Sequence, residues 1–169
     1  MNKSPLPNRQ NVRLAGYDYR SDGYYFITII THHRNCIFGK IVKEDGLDNY
    51  KMSLNQNGKM IKDAWKSLPV RFNNINLDAF IVMPNHLHGI IEIIKSDSNT
   101  PLSEIVRVFK SYTAVKYSKC NTSLDRSEKL WQTDYYEHII RTEISLYHLR
   151  QYITDNPFNW DKDPERFSS

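Results

Sequence analysis

INLDAFIVMPNHLHGIIEII, residues 75–94, is the stretch on which the fold turns. Its two arms, Ile75–Met83 and His86–Ile94, are dense in Ile, Val, Leu and Phe, and only Pro84 and Asn85 separate them. Apolar runs of this length, bounded by turn residues, read as strands joined by a very tight connection. The second arm opens on His86-Leu87-His88. Side chains two apart on a strand point to the same face, about 6.6 Å along. Both imidazoles can therefore converge on one point while Leu87 enters the core. An arbitrary His-x-His is more often two polar residues on a half-exposed strand, but here a proline-asparagine bend directly precedes the pair.

Working outward, YYFITIIT (24–31) is aromatic and β-branched and predicts a strand. Ile37–Leu54 holds the turn signal Glu44-Asp45-Gly46 and predicts a hairpin or two short strands. Asn57–Ser67 carries Met60, Ile61, Ala64 and Trp65 at helical spacing, and Pro69 stops it. After the loop Lys95–Thr100, Pro101 opens a helix to about Tyr117, with Leu102, Ile105, Val106, Phe109 and Thr113 as its buried stripe. Ser118–Lys129 is loop-like, and Tyr135–Ile140 predicts a short strand. Glu143–Asp155 predicts a last helix, with Leu146, Leu149 and Ile153 facing the core and Pro157 limiting it. Residues 1–20 look like a surface arm and residues 160–169 like a polar tail.

Setting the hairpin aside, the order is strand, helix, strand, strand, helix, strand, helix. This predicts an α+β fold: a ferredoxin-like antiparallel sheet with helices on one face, an inserted β-hairpin and an extra C-terminal helix. Such a fold hosts many functions and decides none. The 169 residues suit one domain over 1–169. The net charge of +4 permits a polyanionic partner without demanding one. Cys36 and Cys120 lack metal-type spacing and read as reduced thiols, as in a cytoplasmic protein. The polar start has no signal-peptide core, and no apolar run approaches a membrane span.

On the last helix His148, Tyr152 and Asn156 recur every four residues, on a stripe beside the apolar one. Spacing alone leaves two readings: an amphipathic helix with an edge tyrosine, or a nucleophile with a potential metal ligand one turn away.

The chain resembles the single-tyrosine HUH transposases, most closely their REP-associated branch. The matching stretches are YDYRSDGYYFITIITHHR (17–34), FIVMPNHLHGIIEI (80–93), VRVFKSY (106–112), WQTDYYEHIIR (131–141) and YITDNP (152–157), in the family's order. The resemblance implies that His86 and His88 bind a divalent ion, magnesium or manganese in use. It implies that Tyr152 is the nucleophile and that Asn156 completes the metal site. The His/His/Asn set is itself permissive and would also take zinc or nickel. The implied reaction is transesterification of a phosphodiester through a 5′-phosphotyrosine, at single-stranded DNA beside a hairpin. His148 and Arg141 lie in matching regions without an assigned role. Arg107 and Lys110, on one flank of the second long helix, are candidate phosphate contacts, as are Arg13, Arg20 and Arg34. A solvated helix face explains the first two equally well. Trp131 and Tyr135 could stack on bases, although packing is the commoner role.

Other readings stay open on the residues alone. One is a domesticated hairpin-binding protein that no longer cleaves; another is a metal-dependent hydrolase that activates water. A ferredoxin-like RNA-binding protein would need an exposed aromatic RNP pattern, which is absent. A homodimer is compatible with the chain, as is a tyrosine serving either its own subunit or a partner.

Overall fold

The computed structural model describes residues 21–44, 49–94, 100–121 and 129–166. The expected surface arm, the tip of the expected hairpin and most of the loop after the second long helix lie outside them. Four strands form one antiparallel sheet: β1 (Gly23–Ile30), β4 (Ile75–Val82), β5 (His86–Ile93) and β6 (Tyr136–Ile140), in the order β4-β5-β1-β6. This is the expected ferredoxin-like arrangement. The insertion is also as expected: β2 (Gly39–Lys43) and β3 (Tyr50–Leu54) make a separate two-stranded sheet.

Period-two alternation divides the sheet into two unlike faces. Tyr25, Ile27 and Ile29 of β1, with Leu87, Ile91 and Ile93 of β5, join the larger core. Helices α1 (Gln56–Lys66) and α3 (Leu102–Cys120) cover that face through Ile61, Ala64 and Trp65 and through Leu102, Ile105, Val106 and Phe109. The predicted stripe of α3 is buried in full and extends to Tyr117. Trp65 packs against β5 at Gly89, where a Cβ would come within 2.4 Å of its ring. Glycine at 89 is therefore a packing requirement.

The other face carries Phe26, His86, His88 and Ile90. It is covered by α4 (Glu143–Asp155) through Leu146 and Ile153, with Leu149 partly buried. Thr142 caps α4, its Oγ1 accepting the Ser145 amide at 3.1 Å. A register shift between Leu77 and Phe80 bulges β4, and Arg150 of α4 binds Asp78 within the bulge at 2.9 and 2.6 Å. The helix is thus held both by its apolar stripe and by a bidentate ion pair.

Two local expectations change. Asn55 caps α1, so it starts one residue earlier, at Gln56. Pro69 does stop α1, but it then sits in the first turn of a short helix α2 (Leu68–Arg71), where its missing N–H costs no bond. No helix among the described residues is long and apolar enough to cross a membrane.

Candidate active site

The bend Pro84-Asn85 decides where the two histidines stand. Asn85 is fully buried, and its Nδ2 donates to the carbonyls of Arg34 (3.1 Å) and Glu165 (2.7 Å). Its Oδ1 must then act as acceptor, and it lies 2.8 Å from His86 Nδ1. His86 therefore carries its proton on Nδ1 and presents an unprotonated Nε2. His88 Nδ1 lies 2.8 Å from Thr28 Oγ1, its neighbour across the β1–β5 register, which turns His88 Nε2 toward α4. The two rings are 4.3 Å apart on the face away from α1 and α3. Both are buried, and burial holds both pKa values down: His88 to about 3, and His86 well below its usual range, with added repulsion from His88 and Arg34. Neutral imidazole with a free lone pair is the form that binds a metal.

Helix α4 brings Tyr152 over this pair. The Tyr152 hydroxyl is 3.4 Å from His88 Nε2, and its ring meets His88 and Phe26 edge-on at 5.2 and 6.1 Å. One turn on, Asn156 is buried at the helix end. The four residues that the motifs single out, His86, His88, Tyr152 and Asn156, thus belong to one constellation within one chain.

A further group comes from the tail, which does more than a polar tail was expected to do. After a short turn of helix at Trp160–Lys162, the chain folds back and buries Asp163 and Glu165. Asp163 Oδ2 accepts Asn156 Nδ2 at 2.9 Å and lies 3.8 Å from His86 Nε2. Glu165 pairs with Arg34. No periodicity marks these residues. Asp163-Pro164 is a turn signal, and it is the only local sign that the chain reverses there. Thr28 was missed because its role depends on cross-strand register, and Asn85, read only as part of the bend, supports His86 through carbonyls that distant segments bring to it.

The donor set fits a divalent ion. The ligand atoms of His86, His88 and Asp163 lie within 4.8 Å of one another. His86 Nε2 and Asn156 Oδ1 are buried without a hydrogen-bond partner among the described residues. Orphaned buried acceptors are costly, and a cation between them would remove that cost.

The remaining candidates stand elsewhere. Arg13 and Arg20 lie outside the described residues. Arg34 is held by Glu165. Arg107 is exposed and paired with Glu104 at 2.6 Å. Lys110 donates to the carbonyls of Gln132 and Thr133 at 2.8 and 2.7 Å. Both belong to α3, across the sheet from the histidines. His148 and Arg141 are exposed, with the His148 ring against Tyr147. Trp131 packs between Phe38 and Phe109 and donates to Thr113 Oγ1 at 2.9 Å, and Tyr135 packs against the same core.

With this geometry in place, relatives identify the class. Residues 20–156 match the family model described as IS200-like transposase, and the chain belongs to that family. A Haemophilus influenzae protein of uncharacterized function is 39% identical over 94% of this chain and 93% of its own length. A second protein from the same organism, named as a candidate REP-associated tyrosine transposase, is 24% identical over 83% of this chain and 73% of its own. Among solved structures, a REP-associated tyrosine transposase bound to a REP hairpin superposes with a TM-score of 0.60. It is 18% identical, over 92% of this chain and 74% of that one. A transposase-like protein of Deinococcus radiodurans superposes with a TM-score of 0.53 at 17% identity, over 85% and 95%. The fold is that of the REP-associated tyrosine transposases, and the function is transposase-like.

Proposed function

We propose that this chain cuts and rejoins single-stranded DNA beside a hairpin, with Tyr152 as the nucleophile. The observation that carries the reading is the approach of the Tyr152 hydroxyl to His88 Nε2 at 3.4 Å, in a cluster where His86 Nε2 and Asn156 Oδ1 are orphaned acceptors. His86, His88 and Asn156 would hold a divalent ion, magnesium or manganese, with Asp163 as a further oxygen donor. Such an ion supplies charge neutralisation at a scissile phosphate. The chain's own residues do the rest. Asn85 and Thr28 aim the imidazoles, and α4 carries the phenol to the same point. The Tyr152 oxygen attacks phosphorus and gives up its proton. The bond from phosphorus to the 3′ oxygen breaks, and that oxygen leaves as a hydroxyl, taking up a proton. The product is a 5′-phosphotyrosine, and a second 3′-hydroxyl can reverse the step without an external energy source.

Other tyrosines are poorer candidates. Tyr147 is 60% exposed on the far side of α4, and Tyr136 is packed into the smaller core, where burial raises its pKa. The DNA stem would be gripped elsewhere. Arg107 and Lys110 can serve it only where the duplex reaches the α3 side of the sheet.

The test is an end-labelled hairpin oligonucleotide with single-stranded flanks, incubated with manganese and run on a denaturing gel. A shifted covalent adduct, lost in Tyr152→Phe and in His86→Ala while hairpin binding persists, is the expected result. Peptide mapping to Tyr135, Tyr136 or Tyr147 would overturn the assignment. Cleavage without any adduct would favour water activation, and binding without cleavage would favour a domesticated hairpin binder.

A further inference from the structure

A cleft of about 580 Å³ opens beside the histidines, between the β2–β3 hairpin and the folded-back tail. Its size is that of a small-ligand site. Lys40 and Tyr50 of the hairpin line one side, and Phe158, Trp160, Lys162 and Arg166 of the tail line the other. Pro84, from the bend that precedes His86, is also part of the lining. The Trp160 ring lies 6.0 Å from the His86 ring, so the cleft adjoins the candidate metal site. Tyr50 and Phe158 meet edge to face at 5.8 Å, although Phe158 is 55% exposed. Lys40 and Lys162 are exposed at the rim, while Arg166 pairs with Asp161 and lies over Trp160. The lining thus combines three aromatic rings with an excess of positive charge. None of these side chains has a part in the chemical step.

We propose that this cleft is a subsite for an unpaired nucleotide of the strand being cut: its base against Tyr50, Phe158 or Trp160, its phosphates at Lys40 and Lys162. The inference rests on the DNA reading above, and the location favours it. A strand whose phosphate lies at His86 and His88 must leave the site over a neighbouring surface, and this aromatic, basic cleft adjoins it. Aromatic faces hold unpaired bases without regard to sequence, and cations track the backbone. A folded tail is needed to form the subsite, which gives residues 158–166 a role in substrate binding.

The test uses a fluorescein-labelled oligothymidylate of about 15 nucleotides and a strand of equal length with abasic sugars. Phe158→Ala and Tyr50→Ala should each weaken oligothymidylate binding by about tenfold and leave the abasic strand nearly unaffected. Lys162→Gln should weaken both strands and flatten the salt dependence by a slope of about 0.7. Trp65 and Trp131 are buried whereas Trp160 is partly exposed, so oligothymidylate should quench a tryptophan signal that Trp160→Phe abolishes. Circular dichroism verifies that each variant is folded. Wild-type affinity for oligothymidylate in both alanine variants would overturn the subsite. If those variants still form the Tyr152 adduct on hairpin DNA, the functional reading survives that failure. A wild-type protein that binds neither strand and forms no adduct would bring down both.

Discussion

Asn85→Ala tests the idea that a single buried amide sets the chemistry of His86. The Asn85 side chain makes three hydrogen bonds: to the Arg34 carbonyl, to the Glu165 carbonyl and to His86 Nδ1. Alanine removes all three. His86 Nδ1 is left buried without its partner, which costs about 1–3 kcal/mol, and the Glu165 carbonyl loses its shorter bond and keeps only the Arg34 guanidinium at 3.3 Å, a further loss of about 0.5–1.5 kcal/mol. The Arg34 carbonyl is less enclosed, and water can replace its partner. The total is about 2–4 kcal/mol, well inside the stability of an ordinary domain, so the variant should fold. At about 2–4 °C per kcal/mol for a chain of this size, the melting temperature should fall by roughly 5–15 °C. Manganese affinity, measured by calorimetry, should fall by about 10–100-fold, because the ring loses the partner that fixes its tautomer. Asn85→Asp separates the two roles. It keeps an acceptor for His86 but sets a carboxylate oxygen against two carbonyls. It should therefore be destabilised while binding manganese more tightly than the alanine variant. An alanine variant with the wild-type urea midpoint, or with manganese affinity within about twofold of wild type, would refute the argument.

Three further outcomes follow from the packing. Gly89→Ala drives a methyl into the Trp65 ring, and should cost about 1–3 kcal/mol in urea unfolding; a neutral effect would mean that the Trp65 layer shifts freely. Arg150 holds the Asp78 carboxyl below its usual range. The Asp78 contribution is full above the unfolded carboxylate pKa and is lost as pH falls through the lower folded value. The melting-temperature gap between wild type and Asp78→Asn, about 1 kcal/mol when converted, should thus be present at neutral pH and close below about pH 4; a constant gap would remove the ion pair as its source. Lys110→Ala should loosen the 132–134 segment, seen as faster amide exchange there, and leave the salt dependence of hairpin binding unchanged if its ammonium stays on those carbonyls; a flattened slope would return Lys110 to the DNA surface.

What the chain reveals by itself is what local periodicity encodes. The apolar, β-branched runs at 24–31 and 75–94 and the stripes at 102–117 and 143–155 specify strands and helices, because residue type and spacing are local properties of the chain. The pairing of His86 with His88 was visible for the same reason: two positions apart on one strand is one face. Tyr152 and Asn156 stood out through a matched pattern on one helix. Tertiary structure decided the rest. Whether α4 lies on the same sheet face as the histidines depends on the β1–β5 register and on the Arg150–Asp78 clamp at a bulge. Lys110 and Arg34 looked like free cations until folding brought carbonyls and a carboxylate to them. Asp163 read as part of a polar tail because nothing periodic predicts a chain reversal. Asn156 receives Asp163, while Asn85 and Arg34 receive Glu165 two residues on, and such long-range complementarity exists only once the chain has closed on itself.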